Sequence, residues 1–113
     1  MSRADVDRLL DIEAACEAIT VYLRRRDIED DIVFDAIRVR LIEIGEAVKD
    51  IDPSLLASEP DIPWIEISRM RDQLTHRYFD TAHSIVRSTA TRDIPVLASA
   101  VKRLLGRSQT RSK

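Results

Sequence analysis

The chain is poor in turn-forming residues: 2 Gly and 4 Pro in 113 residues. It also has no run in which β-branched and polar residues alternate, so helix is the default reading along its length. Cys16 is the only cysteine, which excludes an intrachain disulfide and fits a reducing compartment. No apolar run approaches the roughly 20 residues that a bilayer-spanning helix needs. The N-terminus, Met1 to Arg8, is charged and followed by more acids, unlike a signal peptide. These absences point to a soluble, cytoplasmic protein with no membrane association. The length suits one compact domain and is short for two. A core of this size can form without a disulfide or structural metal.

What the chain does have is charge, unevenly placed. Residues 1–66 carry 8 Arg/Lys and 17 Asp/Glu, whereas residues 67–113 carry 10 Arg/Lys and 3 Asp/Glu. Either the two parts pair within the fold, or the basic part attracts a polyanion by neutralising phosphates. Of the 18 cations 15 are Arg, whose planar two-pronged donor set matches phosphate.

Apolar spacing predicts four principal helices. Val6, Leu9, Ile12, Cys16, Ile19 and Leu23 recur at steps of three and four, giving a helix over 3–26 with Cys16 in its core stripe. Val33, Ile37, Leu41, Ile44, Val48 and Ile51 do the same over 32–51. Gly45 lies inside that second helix, where a glycine usually permits another helix to come close. Periodicity places Glu46 at the surface, with a polar site as the other option. Asp52-Pro53 and Glu59 to Pro63 mark a loop with one helical turn at 54–57. Pro63 suits the first position of a third helix over 63–76. Ile85, Thr89, Leu97, Val101 and Leu104 mark a last helix over 82–105, kinked or split by Pro95 and closed by Gly106 in a left-handed cap. The expected fold is all-α, an up-and-down four-helix bundle over residues 1–106, with a basic, disordered tail over 107–113. Such a bundle carries no function by itself.

The run Arg71-Asp72-Gln73-Leu74-Thr75-His76-Arg77-Tyr78 packs seven polar or titratable residues into eight positions, and it falls at a predicted helix C-terminus. Asp72 and His76 are four apart and share a helix face, so the carboxylate can fix the imidazole tautomer and favour its charged form. Arg71 and His76 are five apart, about 140° around a helix. They can share a site only if the helix ends near Thr75, if the Arg side chain reaches round, or if a second copy of the chain takes part. Two-histidine acid–base chemistry would require that second copy, with the sites at a two-fold axis. Arg with His, and no cluster of metal ligands, suggests metal-independent phosphodiester chemistry: His76 takes a ribose 2′-hydroxyl proton and Arg71 binds the phosphate as charge develops. An ordinary charged helix end is the alternative.

The residues R-D-x-x-x-H-x-Y at Arg71, Asp72, His76 and Tyr78 resemble the motif of the HepT-like toxins, a branch of the HEPN superfamily of helical ribonucleases. Pro63-Trp64 before the motif, Phe79 after it, Ile44-Gly45-Glu46-Ala47 in an earlier helix and Ile94-Pro95 in the last one extend the resemblance from about Asp35 to Leu105. The resemblance implies an all-α homodimer with its two motifs lining an interface cleft. It implies a toxin of a toxin–antitoxin pair that cleaves RNA without a cofactor, with Arg71 and His76 catalytic and Asp72 in support. It also implies a nucleotidyltransferase antitoxin that attaches AMP to Tyr78. Glu46 and Arg77 become candidate cleft residues. The competing reading is a non-catalytic module that binds nucleotides or a nucleotidyltransferase partner through the same motif.

Overall fold

The structure, a computed structural model, describes the backbone of residues 1–76 and 79–111 and the side chains of residues 1–75 and 84–106. Six α-helices follow one another among the described residues: α1 (Arg3–Arg25), α2 (Asp31–Lys49), the single turn α3 (Pro53–Leu56), α4 (Trp64–His76), α5 (Phe79–Ser88) and α6 (Ile94–Arg111). A π-helical segment, Thr89–Asp93, joins the last two. The all-α bundle read from periodicity is therefore the fold. No described helix is long and apolar enough to cross a membrane.

Asp side chains begin the second and third helices. Asp30 caps α2, accepting from the Ile32 and Val33 amides at 2.9 and 3.3 Å. Asp52 caps α3 by accepting from the Ser54 amide at 2.9 Å. The acidic link before α2 thus supplies acceptors for amides that the helix itself leaves without partners. Ser2 does the same for α1 through the Asp5 amide. Asp5 is itself buried, and it accepts from the Asp52 amide at 3.2 Å, tying the start of α1 to the loop after α2.

Most of the predicted stripes form the core; the exception is the start of the last helix, where Val86 and Ala90 are buried while Ile85 and Thr89 are only partly covered. Leu9, Ile12, Cys16 and Ile19 of α1 are buried against Ile37, Leu41, Ile44 and Val48 of α2 and Leu97, Val101 and Leu104 of α6. α1 packs on α2 and α6, and the outer side of α2 packs on α4. Ile67, Met70 and Leu74 are the buried residues of α4.

Three local expectations are corrected. Pro63 stands one place before α4 and serves as its cap residue, its carbonyl accepting from the Ile67 amide at 3.0 Å. Gly106 has no positive φ and forms no left-handed cap, and α6 continues through it to Arg111. Glycine permits such a cap without requiring it, and continued helical hydrogen bonding serves the same carbonyls. The last helix starts earlier than expected, at Phe79, and its break is a widened π turn before Pro95. That placement follows from proline chemistry: Pro95 has no amide for the carbonyl one turn earlier, and its ring crowds that carbonyl.

Candidate functional site

The site is built where α2 crosses α4. Gly45 makes the crossing close: a Cβ on it would lie 3.0 Å from the Ile67 carbonyl oxygen and 3.2 Å from the Arg71 amide nitrogen. Both obstacles are backbone, which cannot rotate away. The absence of a side chain at Gly45 therefore brings the α4 backbone against α2 at the first residue of the polar motif.

One residue further along α2, Glu46 meets Arg71. The Arg71 Nε pairs with Glu46 Oε1. The same guanidinium reaches Asp72 Oδ1 through Nη1 at 3.5 Å, and Asp72 Oδ2 lies 3.9 Å from Lys49 Nζ. The result is a line of alternating charges, Glu46, Arg71, Asp72 and Lys49, with three of its four members within or beside the Ile44–Ala47 stretch or the motif itself. Arg71 and Glu46 side chains are 48% and 49% exposed. Pairs this open contribute less than about 1 kcal/mol, so this one orients the guanidinium more than it stabilises the fold. Arg71 is held at one edge by carboxylates and still faces solvent, where an anion can reach it.

The far end of α4 is held separately. Arg38, one helical segment earlier on α2, donates from Nε and Nη2 to the Leu74 carbonyl at 3.1 and 2.6 Å. Thr75 bonds back through its hydroxyl to the Arg71 carbonyl. At the other end, the loop before α4 is fixed by Glu59. Its buried carboxylate accepts from Arg103 of α6 at 2.7 and 3.0 Å, and its carbonyl accepts from the Trp64 indole at 3.1 Å.

Of the sequence-predicted site residues, Arg71, Asp72 and Glu46 are brought together. α4 extends to His76, one residue past Thr75, so Arg71 and His76 lie on one helix at its described end. The His76 side chain, and Arg77 and Tyr78 entirely, lie outside the described residues, as does any contact between Asp72 and His76. Glu46 is both at the surface and in the polar site, so the two options left open by periodicity hold together. Sequence reasoning missed Arg38, Lys49 and Glu59. Arg38 and Lys49 had one available signal: they fall at positions −7 and +4 from Gly45, on the stripe that a close-approach glycine turns toward its neighbour.

Cys16 is inert packing. Burial, and then the Glu13 charge, push its thiol up to about 12. Among the described residues, no three His, Cys, Asp or Glu side chains gather as a candidate metal site.

No solved structure matches the chain significantly. Curated proteins do. A protein of Thermococcus cleftensis named as a probable ribonuclease HepT is 38% identical over 109 residues, covering 92% of this chain and 98% of its own. A protein of Caldanaerobacter subterraneus named as a candidate RNase is 36% identical over 94 residues, covering 80% of this chain and 84% of its own. Another so named, from Methanocaldococcus jannaschii, is 33% identical over 110 residues, with 93% and 95% coverage. Residues 12–104 match the family described as Ribonuclease HepT-like, a span that takes in Gly45, Glu46 and the whole Arg71 to Tyr78 motif. The chain thus belongs to the HepT-like ribonuclease family of the HEPN superfamily.

Proposed function

We propose that the protein is a metal-independent endoribonuclease in which Arg71 and His76 cleave RNA. The observation that carries this reading is the exposed Arg71 guanidinium, oriented by Glu46 at the backbone crossing made by Gly45. His76 takes the proton of a ribose 2′-hydroxyl, and the 2′-oxygen attacks the adjacent phosphorus. Arg71 neutralises the charge that builds on the phosphoryl oxygens. A proton returned to the departing 5′-oxygen completes the step, leaving a 2′,3′-cyclic phosphate and a 5′-hydroxyl.

One chain has a single motif histidine, so a second imidazole for the leaving oxygen comes from a homodimer partner. Two features favour such a partner. Arg71 and Glu46 lie on an open surface, which a second copy would convert into a cleft. Val39 and Ile65, 50% and 63% exposed, stand seven residues before Glu46 and Asp72. That spacing puts each of them on the same helix face as one of the site carboxylates.

In this reading the protein is the cytoplasmic toxin of a toxin–antitoxin pair. Its antitoxin is a nucleotidyltransferase that transfers AMP from ATP to the Tyr78 hydroxyl, releasing pyrophosphate. The added phosphate would stand two residues from His76 and compete for Arg71. Asp72 orients His76, and Arg77 is a candidate RNA contact.

The test is incubation of purified protein with end-labelled RNA in EDTA. Wild-type protein cleaves, and Arg71→Ala and His76→Ala do not. Co-expression with the nucleotidyltransferase adds the mass of AMP to the wild type and not to Tyr78→Phe.

A further inference from the structure

Among the described residues, Arg38 makes the longest-range hydrogen bonds to the motif helix, reaching a residue 36 positions away. Its acceptor is significant. Leu74 lies two residues before His76, in the last described turn of α4. A carbonyl there points its negative end along the helix axis, where a fixed cation is favourable. Two guanidinium donors converge on the one oxygen, at 3.1 and 2.6 Å, which limits both the distance and the direction of approach. Arg38 is half-buried and follows fully buried Ile37 on α2, so its starting point is rigid.

Leu74 is already anchored by its own side chain, which is 1% exposed. A second anchor on its carbonyl adds little to core burial. What it fixes is the direction in which the last turn of α4 ends, and His76 is the residue at that end. Arg38 and Glu46 stand eight residues apart, about 12 Å along α2. They grip α4 at Leu74 and at Arg71, with Gly45 setting the helix separation beside them. Arg71 and the backbone leading to His76 are thereby referred to one rigid element.

We infer that Arg38 is a positioning residue of the RNA-cleaving site, setting where α4 presents His76 relative to Arg71. This rests on the ribonuclease reading above. It predicts a loss concentrated in kcat, because a displacement near 1 Å at a reacting group costs on the order of 100-fold in rate.

The experiment compares wild type, His76→Ala, Arg38→Ala and Arg38→Lys in EDTA on one labelled RNA. It also records the imidazole NMR signals of His76, assigned by their loss in His76→Ala. Arg38→Ala is expected to lower kcat about 10- to 100-fold, with KM within about threefold, and to shift the His76 signals. Arg38→Lys, which keeps one donor and the charge, is expected to recover much of that loss. Wild-type kcat with unmoved His76 signals in Arg38→Ala overturns the inference. So does a rise in KM alone, which would make Arg38 an RNA contact. If Arg38→Ala does not fold, Arg38→Lys carries the test: kcat and His76 signals identical to wild type overturn the inference, and a smaller kcat loss with shifted signals supports it. If wild type leaves RNA intact, or His76→Ala still cleaves, the ribonuclease reading fails separately. The His76 signals then decide only whether Arg38 sets the end of α4, a shift supporting that hold and no shift overturning it.

Discussion

The Arg71 amide lies 3.2 Å from where a side chain on Gly45 would begin, and the Ile67 carbonyl lies 3.0 Å from the same point. Glycine normally weakens a helix interior by about 1 kcal/mol relative to alanine. At Gly45 that cost accompanies a helix contact so close that a Cβ would force the α4 backbone to give by a few tenths of an ångström. Gly45→Ala should therefore destabilise the protein by about 1 kcal/mol or more, because overpacking against backbone outweighs the gain in propensity. Gly106→Ala supplies the contrast. No described atom outside its own helix lies within 4 Å of its would-be Cβ and its helical φ suits alanine, so it should stabilise by up to about 1 kcal/mol. Urea unfolding of the two variants measures both signs.

The Glu46–Arg71 pair separates orientation from stability. Glu46→Gln should leave unfolding free energy within about 1 kcal/mol of wild type, as expected for a half-exposed pair. It should lower kcat, because the guanidinium loses its charged anchor. KM should not rise, since removing a negative charge beside the phosphate site reduces repulsion of RNA. Steady-state cleavage assays distinguish this from an unchanged kcat, which would leave Glu46 without an orienting role.

Much of this arrangement is legible in the sequence. The three-and-four spacing of Ile37, Leu41, Ile44 and Val48 identifies the buried side of α2, and an interior glycine on that helix signals a close neighbour. Pro95 announces a break, though proline chemistry alone does not choose between a kink and the π turn that forms. The partners across the crossing are harder to read. Arg38 bonds a carbonyl 36 residues away, and a backbone acceptor has no residue-type signature. Glu59 reads as a loop acid because nothing local shows that Arg103, 44 residues on, will bury it. Periodicity assigns faces of one helix. Which face of another element meets them is decided by the whole packing.

Cys16 gives a prediction in pH. Its thiol is raised to about 12 in the folded protein, from an ordinary value of 9.0. The folded state therefore binds the proton more tightly than the unfolded one. Its contribution to stability is complete below the unfolded value and is lost as pH rises from about 9 toward 12. Native protein at pH 8 should resist thiol-specific reagents and react once unfolded in urea. Cys16→Ala should show a shallower loss of stability above pH 9 than wild type. A thiol that reacts readily in the native state at pH 8 would contradict its assignment to the core.

The most direct measurement is the chemistry of the RNA ends formed in EDTA by wild type and by His76→Ala. The account predicts cleavage by wild type with 2′,3′-cyclic phosphate and 5′-hydroxyl ends, and none by the variant. Cleavage that persists without His76, or that leaves 5′-phosphate ends, would contradict it.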